Sequence, residues 1–285
     1  MKKHNIKKIS KGFTLIELLV VMGIIALLLA ILLPALGKAR ATAKRVKDMT
    51  QIAQIHKGFL TLALDYNDLF PTPGLIDRVG NIPGKGAEDV LMNTHGNMYS
   101  ACIMQHAFDA GVLVCPAEVS TNVLAMANYN YDQYNVTAAN DQYWDPNFKS
   151  DLTALSNVSY GTLHLAGTRK AKEWKSTRNS KFVVVGNRGV KDGSLATNDY
   201  NNSRTLAIHG GDKQWEGNEC FNDNHVVFAN NFTPDGISQF TSNNVTIDDN
   251  IFKDDAEAAT ADTWLTMIST VSGSATNQTY TVTWD

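Results

Sequence analysis

The 285-residue chain predicts an α+β fold, in which one long N-terminal α-helix packs on a mainly antiparallel β-sheet. Three observations carry this expectation. Phe13 to Leu36 is an apolar run, and a helical period continues beyond it to about Leu64. Short segments rich in β-branched and aromatic residues, each bounded by turn residues, cluster after Val158. No repeat of solenoid or propeller length is visible. A helix first and strands afterwards is the order of a segregated α+β domain, not of alternating βαβ units.

The head of the helix comes first. Between Phe13 and Leu36 there is one charge, Glu17, and one proline, Pro34. These 24 residues, at about 1.5 Å each, make roughly 36 Å of helix, enough to cross a hydrocarbon core of about 30 Å. Five lysines precede the run (Lys2, Lys3, Lys7, Lys8, Lys11) and five basic residues follow it (Lys38, Arg40, Lys44, Arg45, Lys47). The run reads as a membrane-inserting element. A secretory signal has a shorter apolar core, about 7–15 residues, ending at a small-residue site. Here Leu33-Pro34-Ala35-Leu36-Gly37 makes a poor site. Basic residues flank both ends, so charge bias alone does not set orientation.

Glu17 is the oddity. A carboxylate at the bilayer centre costs about 2.5–3.5 kcal/mol on insertion scales, and no basic residue within the run can pair with it. A cut between Gly12 and Phe13 would create an α-amine four residues upstream of Glu17. Amine and carboxylate would then share a helix face, with the acid near the positive end of the helix dipole.

Gly12-Phe13-Thr14-Leu15-Ile16-Glu17 resembles the prepilin cleavage and methylation signature of type IV pilins and type II secretion pseudopilins. The resemblance implies cleavage after Gly12 by prepilin peptidase and methylation of the new N-terminal Phe13. It places Glu17 where the family keeps its assembly glutamate, and Pro34 where many members bend the helix. It also implies a leader inside and a body outside, with the chain held in the inner membrane by a single pass. The C-terminal domain would then be periplasmic or extracellular. The implied partners are the peptidase, other pilin or pseudopilin subunits in a homo- or hetero-filament, and an inner-membrane assembly platform. The corresponding division is a leader at 1–12, a helix at 13–65 with its membrane or filament-core part at 13–36, and a globular domain at 66–285.

After Pro34, Leu36, Ala39, Ala43, Val46, Met49, Ala53, His56, Leu60 and Ala63 recur at three- and four-residue intervals and predict one apolar face. Asp65-Tyr66-Asn67-Asp68 and the prolines that follow end the helix. Phe70–Gly96 reads as a long loop with one short helix, Asn93–Val114 as a second helix, and 117–157 as irregular. Strands are expected at Val158–Leu165, Phe182–Gly186, Arg204–His209, His225–Asn230, Asn244–Ile247 and Thr279–Trp284. His209-Gly210-Gly211 followed by Phe221-Asn222-Asp223-Asn224-His225-Val226 resembles the His…Asp-Gly-His-Val segment of large pilin-like proteins. Asn224 stands where glycine is usual, and it tolerates positive φ, so a tight hairpin survives.

Cys102, Cys115 and Cys220 permit at most one intrachain bridge. Cys102–Cys115 is the nearest pair and would close a short loop in an oxidising compartment. The other option is small buried thiols. Val114-Cys115-Pro116 resembles a Cys-Pro turn of large pilin-like proteins, which favours a structural role. His209, Cys220 and His225 have no standard zinc spacing. Asp248, Asp249, Asp254 and Asp255, with Asn250, supply hard oxygen ligands for calcium without the EF-hand order, and a solvated acidic loop is the favoured reading. No phosphate loop or nucleophile elbow is present, and His164, Glu173 and Asp192 form no convincing acid–base set. The sequence calls for no cofactor and for no enzyme.

From Met49 onward there are 15 basic and 26 acidic side chains, a net of −11. An acidic body lacks the basic footprint of a nucleic-acid binder. The expected function is a structural pilin-like subunit. The alternative is a pilin-anchored binding module for polysaccharide or protein, using Tyr129, Tyr131, Tyr134, Tyr143 and Trp144.

Overall fold

The computed structural model describes residues 13–80, 84–137, 140–210, 213–242, 245–255 and 262–285. The expected leader at 1–12, Gly12 included, lies outside the described residues. The chain divides into two compact units between Ala43 and Lys44.

Helix α1 covers Leu15–Ala63, within two residues of the expected 13–65 at either end, and runs on through Pro34. In the first unit, the large apolar side chains from Phe13 to Leu36 are 45% to 83% exposed. An 18-residue window of this segment has a mean hydropathy of 3.0. A helix apolar on every side needs a bilayer or a bundle of like helices around it.

Within the second unit, α1 buries Asp48, Gln51, Ile52, Ile55, His56, Phe59, Leu62 and Ala63. This corrects the expected face, of which His56 and Ala63 are fully buried and Val46 is exposed. The period was right and the phase was wrong, because the true face begins with an acid. Phe59 is the pivot of packing. Its ring lies 5.5–6.2 Å from those of Phe70, Tyr99, Phe108 and Trp174. Gly58 permits that approach, since a Cβ there would sit 2.5 Å from Phe108 Cδ1.

Beyond α1 come α2 (Pro73–Ile76), α3 (His95–Met104), the hairpin β1 (Asn135–Thr137) and β2 (Asn140–Gln142), β3 (Tyr160–Leu163), α4 (Gly167–Glu173) and β4 (Val183–Asn187). Then follow α5 (Thr197–Asn202), α6 (Leu206–His209), β5 (Gly217–Phe221), β6 (Val226–Ala229), β7 (Gln239–Ser242), β8 (Val245–Asp248), β9 (Leu265–Thr266), β10 (Ile268–Ser274) and β11 (Asn277–Val282). The main sheet has the order β6-β5-β4-β3-β9, and its pairings are antiparallel. β1–β2, β7–β8 and β10–β11 form separate two-stranded ribbons. The α+β architecture is the one expected.

Three local expectations change. The second helix starts at a Thr94 cap, whose Oγ1 accepts from Asn97 N at 3.1 Å, and gives way to His106 in the left-handed region at φ 57°. Ala110–Leu113 is a separate 3-10 turn. Arg204–His209 ends as helix α6, not a strand. β5 was not anticipated as a strand, because Gly217-Asn218-Glu219-Cys220 is fully buried without alternating apolar residues. The β5–β6 turn matches its expectation: Asn224 has φ 71°, and its N–H donates to Phe221 O at 2.9 Å.

The sheet separates two apolar clusters. Cys220 joins the cluster containing Ile52, Ile55 and Phe59, and Phe221 joins the one around Trp215 and Phe252. Alternation along β5 puts Glu219 on the face of Phe221. It is fully buried, packs over Gly186, and neither carboxyl oxygen has a hydrogen-bond partner among the described residues. Burial, and then the nearby Asp48, push its carboxyl well above the usual range. The folded state therefore keeps a proton that the unfolded chain loses above pH 4.5. This destabilises the fold by up to about 1.4 kcal/mol per pH unit above that point until the folded group itself ionises. Glu219→Gln removes the titration. Urea denaturation should show the variant gaining more stability over wild type at pH 8 than at pH 5, and an equal difference at both would contradict this ionisation state.

Candidate functional site

The first candidate is the start of α1. Glu17 Oε2 accepts from the Thr14 N–H and from Thr14 Oγ1, both at 2.8 Å, while Glu17 N–H donates to Thr14 Oγ1 at 3.3 Å. This is a capping box, in which cap and acid satisfy each other's orphan groups. Glu17 therefore has polar partners before any cleavage. The Thr14-x-x-Glu17 spacing carried that signal, which a search for a basic partner overlooks. The box satisfies hydrogen bonds, but among the described residues no cation pairs with the negative charge. A cation next to Thr14 would supply what is missing, and Phe13 is the adjoining residue.

The second candidate clasps α1 to the sheet. Tyr160 and Asn187 are directly paired on β3 and β4, and Asn218 and Phe228 on β5 and β6. Asn218 N–H donates to Asn187 Oδ1 at 2.7 Å, which joins the two pairs into one rung across four strands. Asp48 sits over this rung with no exposure. Tyr160 OH donates to its Oδ1 at 2.7 Å and Asn218 Nδ2 to its Oδ2 at 2.7 Å. His209 Nε2, at the end of α6, lies 3.2 Å from Oδ2, and Asn187 Nδ2 lies 3.4 Å from Oδ1. One turn earlier, the Arg45 guanidinium lies over the Phe228 ring at 4.2 Å, and Arg45 O accepts from Asn218 Nδ2 at 3.2 Å. Burial alone would raise the Asp48 carboxyl. Hydrogen bonds from His209, Cys115, Tyr160 and Asn218 outweigh it and hold the group below the usual carboxylate range.

Cys115 belongs to the same cluster, 3.8 Å from His209 Nε2 through Sγ. Its loop is fixed by Ser159 Oγ, which accepts from Cys115 N–H at 3.0 Å and donates to Glu118 at 2.8 Å. Glu118 makes a buried two-pronged pair with Arg188. The three cysteines are free and buried. The Cys102–Cys115 bridge is thus not formed: Cys102 packs on α3 in the core, while Cys115 faces Asp48 and His209.

The acids near the C-terminus are held by separate partners. Asp248 accepts from Gln239 at 2.6 Å, and buried Asp249 from Thr263 N–H at 2.7 Å. Asp254 pairs with Arg169, as does Asp262, and Asp255 pairs with Lys253. Among the described residues, the group of His, Cys and carboxylate side chains close enough to share a metal ion is Asp48, Cys115 and His209.

A third feature is a cleft of about 550 Å³ lined by Met104, His106, Tyr131, Tyr134 and Tyr143. His106 stacks on Tyr131 at 4.9 Å, and Tyr134 meets Tyr143 edge-on at 6.4 Å. Tyr143 and Trp144 are buried packing residues, whereas Tyr131 and Tyr134 are exposed.

Comparison with known families matches residues 7–33 to the prokaryotic N-terminal methylation motif. That match covers the leader junction, Glu17 and the first part of α1. No match was found among curated proteins or among solved structures. The motif, with the exposed apolar helix behind it, supports a type IV pilin-like protein. It implies processing by prepilin peptidase and assembly with other pilins.

The clasp generates a stability test. Asp48→Ala removes the acceptor shared by buried Tyr160, Asn218 and His209, leaving Tyr160 the longer bond to Gln51 Oε1 at 3.3 Å and Asn218 the one to Arg45 O at 3.2 Å, and should cost about 3–5 kcal/mol. Urea denaturation of the full chain in detergent, read by the fluorescence of Trp174 and Trp215, measures it. A loss below about 1 kcal/mol would mean that apolar packing, not the carboxylate, seats the helix.

Proposed function

We propose that this chain is a structural pilin-like subunit, cut by prepilin peptidase after Gly12 and assembled into a type II secretion pseudopilus or a type IV pilus-like filament. The observation that carries the reading is the Thr14–Glu17 capping box at the head of a fully exposed apolar helix, inside the methylation motif. Cleavage turns Phe13 into a cation beside that box. In the filament, the Phe13 amine of one subunit faces the Glu17 carboxylate of a neighbour, and the apolar helices bundle in the interior. The chain waits in the inner membrane with its acidic body in the periplasm or outside the cell. That body, about 220 residues after the helix, suits a minor or specialised subunit.

Two substitutions test separate steps. Gly12→Arg should leave full-length precursor in the membrane on immunoblots, and normal processing of the variant would remove the peptidase assignment. Glu17→Ala should be processed yet yield few filaments in sheared fractions. Wild-type filament yield from it would eliminate the charge pairing.

The aromatic cleft favours a second reading, a binding module carried on a pilin helix. A concave site that sets exposed tyrosine faces beside Gln105 and His106 suits a sugar ring. On this reading the mature chain in detergent binds a polysaccharide on a glycan array, and Tyr134→Ala abolishes the signal. An array without hits for the wild-type chain would dismiss the polysaccharide form of that reading.

A further inference from the structure

Asp48, Cys115 and His209 come from helix α1, the Cys-Pro loop and helix α6. Their donor atoms lie within 4.8 Å of one another. We propose that these three side chains form a zinc site that pins α1 to the globular body.

The distances fit the ion. A tetrahedral Zn²⁺ with bonds of about 2.0–2.3 Å sets N···O edges near about 3.4 Å and N···S edges near about 3.6 Å. His209 Nε2 lies 3.2 Å from Asp48 Oδ2 and 3.8 Å from Cys115 Sγ, on either side of those values. Without a metal ion, Asp48 accepts from both His209 and Cys115, and an ion at the centre of the trio would take all three donor atoms together.

The surroundings are those of a ligand set. Ala117 N–H approaches Cys115 Sγ at 3.4 Å, placed to stabilise a thiolate. The Cys115 loop is braced by Ser159 and the Glu118–Arg188 pair. Tyr160 and Asn218 orient the Asp48 carboxylate from the outer shell. Asn218 Oδ1, on the same amide, is buried and has no hydrogen-bond partner among the described residues.

Charge and donor type choose the metal class. A thiolate and a carboxylate offset the two positive charges, so the buried site is neutral overall. Sulfur and nitrogen donors suit zinc and disfavour calcium and magnesium. Binding requires the Cys115 thiol to give up its proton to solvent, with His209 coordinating as the imidazole and Asp48 as the carboxylate. Three protein ligands leave one tetrahedral position for water.

Cobalt reports the ligands directly. The full chain in detergent micelles, given one equivalent of Co²⁺, should develop a thiolate-to-cobalt charge-transfer band that Zn²⁺ abolishes, and Zn²⁺ should raise Tm. Cys115→Ser should lose the band, while Cys102→Ser and Cys220→Ser keep it. Tyr160→Phe, which releases the Asp48 carboxylate from the outer shell, should weaken zinc affinity about 10–100-fold. Absence of the band in the wild-type chain, or its persistence in Cys115→Ser, would overturn the site. Should Cys115→Ser fail to fold, X-ray absorption of the wild-type zinc complex decides. One sulfur with imidazole and oxygen neighbours supports the site, and any other sulfur count rejects it.

Discussion

The Asp48 carboxylate is the interaction on which the head of this protein depends. It is a formal charge with no exposure, on the buried face of α1, and it collects donors from β3, β4, β5 and α6. Apolar contact between a helix and a sheet is permissive about rotation and translation. A carboxylate that must meet Tyr160 on one oxygen and Asn218 on the other is not. Arg45 over Phe228, one turn away on the same rung, adds a second fixed point. The hydrophobic cluster around Phe59 supplies most of the burial, and the polar rung sets the register.

The same helix carries a second acid under the opposite constraint. Glu17 stands in an apolar segment that no part of its own compact unit covers. Its hydrogen bonds are closed locally by Thr14, but no cation among the described residues meets its charge. The two acids thus divide the labour of α1. Asp48 is satisfied within the folded chain and holds the helix to its head. Glu17 is left with a charge that calls for a cation from outside the described structure, which is the physical basis of the assembly reading.

Much of this was legible in the sequence, for reasons that separate cleanly. The extent of α1 followed from a run of apolar residues and from the Asp65-to-Pro73 stop, and the β5–β6 turn followed from the tolerance of Asn224 for positive φ. These are local properties. The seam of α1 was misplaced because its first residue is Asp48, and a search for apolar periodicity passes over an acid. β5 was missed for a related reason, since Asn218 and Glu219 are buried polar residues whose environment comes from distant segments. In the sequence, His209 groups with Cys220 and His225, and Cys115 with Cys102. His209 and Cys115 are 94 positions apart, and only the packing of α6 against the Cys-Pro loop brings them together with Asp48. The Thr14–Glu17 box is legible in the Thr14-x-x-Glu17 spacing, and weighing the acid only as a charge hides it.

In the proposed function, the helix enters its assembly with a new positive terminus at Phe13. Intact-mass and N-terminal fragment spectra of the protein recovered from membranes test this most directly. The expected chain begins at Phe13 and carries a methyl group on its amine. A chain that begins at Met1, or at any residue beyond Phe13, would contradict it.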